Sequence, residues 1–232
     1  MPWDYWLIFF FLAVLIPWRA RIRLRRLLSE PPAGPAAKLR LYAATMAWQW
    51  AALGVVAWRA SARGMSAAQL GLAERFTWPL AAATLVGTIS LAGFQWFNLR
   101  RLGRMNGAVP DFMRKLAARI LPAETVEFLP YTALAITAGV CEEFLYRGFV
   151  MAALMATGLH TLLVVLLSAI LFGWAHAYQG RSGIAGTTLL GVLFAATRLA
   201  YNSLLPVIVW HAVVDLVAGI AGPKYLGSPP YS

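Results

Sequence analysis

Apolar runs of roughly the length of a membrane span recur along the chain, each closed by basic or turn-forming residues. A helix crossing a bilayer needs about 20 mostly apolar residues. By that measure seven helices are predicted, at 4–18, 41–58, 76–98, 129–157, 160–178, 183–201 and 204–221. The first is short and needs its flanking aromatics to span. The fourth is long and contains charges. The longest polar stretch, 99–127, predicts an amphipathic surface helix around Asp111–Leu121. Residues 31–36 (PPAGPA) read as a hinge-like linker, and Pro223–Ser232 as a loose tail. No internal repeat is visible. The expectation is one all-α, polytopic membrane bundle: N-terminal helices and basic loops over 1–127, a helical core over 128–221 and a tail over 222–232.

Composition narrows the class. Hydrophobic residues make up 60% of the 232 and charged residues 12%, with mean hydropathy +0.66. A soluble domain has roughly 45–50% apolar and about 25% charged residues. This balance excludes a disordered chain and points away from a soluble enzyme. Ten Trp and eight Tyr suit membrane interfaces. The single cysteine, Cys141, excludes an intrachain disulfide and a Cys-based zinc cluster.

Net charge is +11, and the positive residues sit between the apolar segments. Loop 19–40 carries seven Lys+Arg, loop 99–127 six and loop 59–75 three. The positive-inside rule makes the first two cytoplasmic and, with seven spans, predicts an N-out, C-in topology. Asp4 precedes the first apolar run and five arginines come after it (Arg19, Arg21, Arg23, Arg25, Arg26), the reverse of a cleavable signal peptide. Anionic lipid headgroups are the expected partners of these loops. Nucleic acid is not, because phosphate contacts need one continuous basic, solvated face.

Charge inside the spans changes the picture more. Glu142, Glu143, Arg147, His176, His211 and Asp215 fall within apolar segments or near their ends, with Arg198 closer to a boundary. A charge at mid-bilayer costs about 2.5–3.5 kcal/mol on insertion scales, so pairing, water or function must offset it. Glu143 and Arg147 are i, i+4 and predict a buried structural ion pair. Glu142 points about 100° away and is left without a local counter-charge, which makes it a candidate general base. His211 and Asp215 are also i, i+4, so the carboxylate can orient the imidazole. His160 begins a span and is explained by interface placement. Depth counting puts Glu142 and Asp215 near mid-bilayer and His176 nearer the cytoplasmic end. The helices must shift, tilt or break for Glu142, His176 and His211 to converge within the ~8 Å that one shared water allows.

CEEFLYRG, FGWAH and SLLPVIVWHAVVD match, in order and spacing, the E-E-x-x-x-R, F-x-x-x-H and H-x-x-x-N/D motifs. Over roughly 128–221 the chain resembles the type II CAAX prenyl endopeptidase family, which also takes in bacteriocin-processing and immunity-related intramembrane proteases (the CPBP or Abi family). The resemblance implies a membrane-embedded peptidase. It implies that Glu142 and His176 activate a water, that His211 and Asp215 serve the oxyanion, and that Glu143 and Arg147 are structural. Asp215 stands where Asn is common. An ionised carboxylate cannot donate to an oxyanion, so Asp215 is expected to act by orienting His211.

The family has been described both as metal-dependent and as a metal-free glutamate type. If a metal such as zinc is held, Glu142, His176 and His211 are the expected ligands; no cofactor is favoured. The expected partner is a membrane-associated peptide or protein substrate: a prenylated C-terminus, a bacteriocin leader or a C-terminal sorting signal. The expected location is a bacterial inner membrane. Two rivals stand beside the protease: a catalytically silent immunity or binding protein on the same scaffold, and a proton-coupled transporter built on His and Glu.

Overall fold

The computed structural model describes residues 1–29, 34–73, 77–104 and 109–226. Among these there is no strand. The first rod comprises α1 (Trp3–Phe10), a π-wound stretch Phe11–Leu15, and α2 (Ile16–Ser29). Then come α3 (Pro35–Ala62), α4 (Trp78–Arg104) and the short α5 (Asp111–Ile120). A second rod is α6 (Thr125–Glu143), a π-wound stretch Phe144–Val150 and α7 (Met151–Met155). The chain closes with α8 (Thr161–Ala175), a 3₁₀ turn Ala177–Gln179, α9 (Gly180–Tyr201) and α10 (Leu205–Leu226).

Among the described residues a helix overlaps each of the seven apolar segments, α8 being only 15 residues long, and α5 lies where the surface helix was expected. Four of the rods are long and apolar enough to cross a membrane: Trp78–Arg104, Thr125–Met155, Ala177–Tyr201 and Leu205–Leu226. The first three segments and their loops differ from expectation in extent. The helix runs on through the arginines of 19–26, because alternating Arg with Ile and Leu continues the helical pattern rather than ending it. Of the expected linker, Pro35 and Ala36 already begin α3, and of the expected loose tail, residues 223–226 form the last turn of α10; residues 30–33, 74–76, 105–108 and 227–232 lie outside the described residues.

Apolar faces point outward. Leu85, Val86, Ile89, Phe94 and Phe97 of α4, and Leu162, Leu163, Leu167 and Ile170 of α8, are exposed. Surfaces of this kind on a water-soluble protein would be an aggregation hazard; in lipid they are solvated. Helices therefore gain little from apolar burial against each other and associate through close packing of small residues. Gly139 on α6 meets α10 so closely that a Cβ there would lie 2.8 Å from the Ile208 carbonyl oxygen. Trp210 of α10 lies across Gly87 of α4 and donates to the Thr84 carbonyl at 3.0 Å.

The two ends of the bundle differ in charge. At one end Lys38 donates to the Leu121 carbonyl at 2.9 Å and to Glu127 at 3.0 Å, and the Tyr42 hydroxyl donates to the Ile120 carbonyl. The Glu127 carboxylate also accepts from the Ala123 and Glu124 amides, which have no partner within the helix they begin. Phe112 of α5 packs over Gly180, and Gly103 lies beside Tyr225. These contacts gather the last turns of α4 and α10, the first turns of α3, α6 and α9, and α5 at one basic end. At the other end Asp4 accepts from Arg59 at 2.6 and 2.9 Å and from Arg63 at 3.2 Å.

Candidate active site

The ionisable residues meet inside the bundle, and the winding of two helices decides how. Both glutamates close α6 directly before the π-wound stretch, all seven residues of which are buried. A π turn holds one more residue than an α turn and so re-aims the side chains beyond it. Arg147 lies inside that stretch. Its Nη1 donates to Glu143 Oε1 at 2.9 Å, and both side chains are wholly buried. The guanidinium lies 4.1 Å from the Phe172 ring centroid and 5.4 Å from that of Phe194. Gly191 makes room for it: a Cβ there would sit 3.1 Å from Nη2.

His211 joins this pair. Its Nδ1 lies 2.7 Å from Glu143 Oε1, while Nε2 lies 3.8 Å from Asp215 Oδ2. The imidazole was expected to be oriented by Asp215, one turn on. Glu143, from a different helix, is the partner within hydrogen-bond reach. Gly139 explains this, because it lets α6 and α10 approach until Glu143 reaches His211. Sequence spacing describes contacts along one helix and is silent on the helix opposite.

His176 caps the C-terminus of α8, which at 15 residues rises only about 22 Å and stops short of a ~30 Å hydrocarbon core. Trp174 marks the level. Its Nε1 donates at 2.9 Å to the carbonyl of Ala13, in the π-wound middle of the first rod. With α8 ending at this level, His176 stands beside Glu142. His176 Nδ1 lies 2.9 Å from the Phe172 carbonyl, which can only accept, so Nδ1 carries the proton. In the neutral ring Nε2 is then a bare acceptor. It faces Glu142 Oε2 at 3.7 Å.

Glu142 has a second partner. Its Oε1 accepts from Gln49 Nε2 of α3 at 2.9 Å. Gln49 was not among the residues singled out in the sequence. The signal was there, a lone carboxamide within the apolar run AATMAWQWAALGVV, but it carries no charge and so escaped a count of ionisable groups. The two histidine rings both lie against Phe172, with centroids 4.6 Å and 5.8 Å from it. Exposure rises across the cluster: 0% for Glu143 and Arg147, 9% for His211, 14% for His176, 20% for Glu142 and 38% for Asp215. A dry side holds the ion pair, and a wet side offers the remaining carboxylates and His176 to a ligand.

Among the described residues no three His, Cys, Asp or Glu groups stand together as a metal-holding set. His211 and His176 engage Nδ1 with Glu143 and the Phe172 carbonyl, which leaves each Nε2 facing the site. His160 caps α8 at its far end, where its Nδ1 accepts from the Leu162 amide.

Helices apolar enough to cross a bilayer, with paired acids and histidines enclosed between them, define a multi-pass membrane protein with an internal polar site. Residues 124–217 match the family model described as Rce1-like, type II CAAX prenyl endopeptidase Rce1-like. This part of the chain, from the start of α6 to the middle of α10, is similar to that protease family, and it holds every ionisable site residue described above. α1–α5, and Gln49 with them, lie outside the match. No curated protein and no solved structure matches the chain.

Proposed function

We propose that the protein is an intramembrane endopeptidase, with seven spans in an N-out, C-in arrangement, that hydrolyses a peptide bond in a membrane-associated substrate. The observation that carries this is the facing pair of acceptors, Glu142 Oε2 and His176 Nε2, 3.7 Å apart. Two acceptors at that distance do not bond to each other, but one water can donate a proton to each. Its lone pairs then point away from both, toward a substrate carbonyl. Glu142 takes a proton as the water oxygen bonds to the carbonyl carbon. The C–N bond breaks as that proton passes to the departing amine nitrogen.

His211 is the electrophilic side of the site. To donate to the oxyanion, Nε2 must carry a proton while Nδ1–H stays with Glu143. With His211 in that form the four groups Glu143, Arg147, His211 and Asp215 sum to zero charge. No step is routed through a metal ion: among the described residues no three His, Cys, Asp or Glu groups stand together as a set for one.

Substrate and water reach the site from its wet side, where Glu142 and Asp215 are partly exposed. The basic residues of the α5 end of the bundle suit the cytoplasmic leaflet and its anionic lipids. A proton-coupled transporter would need titratable groups leading from face to face. Here they stop at one cluster.

The experiment is cleavage of a fluorogenic peptide ending in a prenylated Cys-Ala-Ala-X sequence by the purified protein in lipid vesicles. Wild type is expected to cleave and Glu142→Gln to be slower by about 10²–10⁴-fold, the usual size for loss of a general base. Equal rates in the two proteins, or proton flux across the vesicle without cleavage, would sink the reading.

A further inference from the structure

Glu142 cannot act alone as described, because a carboxylate held on one side by nothing turns freely about its last torsion, which is broad. Gln49 Nε2 donates to Oε1 at 2.9 Å and leaves Oε2 facing His176. The carboxamide gains little for itself. Its Oε1 is buried with no hydrogen-bond partner, so the residue holds a half-satisfied amide in an apolar helix. Polar groups in that state are disfavoured unless they serve another group.

The position of Gln49 is enforced from both sides. Tyr42, Gln49 and Val56 are spaced by seven and so share one face of α3, and Tyr42 and Gln49 meet Tyr131 and Glu142 of α6. Tyr42 and Val56 are buried, and Tyr42 is tied to the Ile120 carbonyl. Lys38, at the start of the same helix, is tied to Glu127 at the start of α6. The register of α3 on α6 is therefore pinned near the basic end, and Gln49 falls opposite Glu142 as a consequence.

We propose that Gln49 is a positioning residue for Glu142, supplied by the part of the chain that lies outside the matched protease region. The proposal rests on the peptidase reading above. Its chemistry is simple. The amide N–H holds Oε1 and keeps Oε2, the oxygen that takes the proton, aimed at the water shared with His176. Substrate does not touch Gln49, so its loss acts on turnover and not on binding.

The test compares wild type, Gln49→Leu and Gln49→His in vesicles with the prenylated fluorogenic peptide, measuring kcat, KM and thermal stability. Gln49→Leu keeps the shape without the donor, and kcat is expected to fall on the order of 10²-fold, the cost of a small misplacement of a reacting group. KM is expected to stay within about twofold, because only the transition state loses stabilisation. Gln49→His restores an N–H donor and is expected to recover part of kcat. A wild-type kcat in Gln49→Leu, or a change confined to KM, overturns the proposal. Should Gln49→Leu fail to accumulate, Gln49→Asn carries the same test. Its amide is one methylene further from Glu142, and a wild-type kcat there overturns the proposal too. Cleavage that needs Glu142 but not Gln49 overturns the positioning role alone, whereas a wild-type protein that does not cleave overturns the peptidase reading beneath it.

Discussion

Two adjacent glutamates on α6 live in different surroundings. Glu143 is wholly buried, bonded by Arg147 at 2.9 Å and by His211 at 2.7 Å. Glu142, one residue earlier and about 100° around the helix, is one-fifth exposed, has a neutral donor in Gln49 and faces a bare histidine nitrogen. The same carboxyl group is an anchor in one place and a reagent in the other. Glu143 is held by an arginine and a histidine, whereas Glu142 has one neutral donor and keeps Oε2 open. Burial and partners, not residue type, separate scaffold from chemistry here.

The largest expected effect breaks that contrast on the wet side. Glu142→Ala should abolish cleavage, by about 10²–10⁴-fold, with a normal amount of folded protein. Expression in the membrane and a peptidase assay on the same preparation read both quantities. Glu143→Ala breaks it on the dry side. It strands Arg147 in the bilayer, and loss of one partner of a buried pair costs roughly 3–5 kcal/mol. Less folded protein and a lower melting temperature are expected. Equal expression of both variants, with activity lost only in Glu143→Ala, would mean that the two roles are exchanged.

Asp215 sharpens the comparison by a smaller step. It lies 3.8 Å from His211 Nε2, beyond a hydrogen bond. Asp215→Ala should slow cleavage on the order of 10²–10³-fold if the group supports the oxyanion side. Asp215→Asn should keep substantial activity, because an amide can donate to the oxyanion directly. Asn and Ala equally inactive, together with a wild type inhibited by a strong chelator, would point to a metal-bound carboxylate, because a neutral amide is a poor substitute on zinc.

The smallest effect is expected at the far end of the bundle. Arg59→Ala removes one of two arginines on Asp4, at a rim where Arg59 is one-quarter exposed and Arg63 remains. Arg63 still pairs the buried Asp4 carboxylate, so no charge is left uncompensated. Cleavage should be unchanged, and the melting temperature should drop far less than in Glu143→Ala. A loss of activity here would show that the site depends on the whole bundle rather than on its own walls.

Much of this protein was legible from periodicity and spacing. Apolar length set where the helices lie, because backbone groups in lipid must bond within their own segment. The i, i+4 rule found Glu143 with Arg147, since both stand on one helix. Tertiary structure decided the rest. His211 is bonded by Glu143 and not by its own-helix neighbour Asp215, because Gly139 lets two backbones come together. His176 reaches mid-bundle because α8 ends after 15 residues. Gln49 reaches Glu142 because the ends of α3 and α6 are latched at Lys38 and Glu127. Sequence spacing measures distance along one helix, and the chemistry of this site runs between helices, where only packing sets the distance.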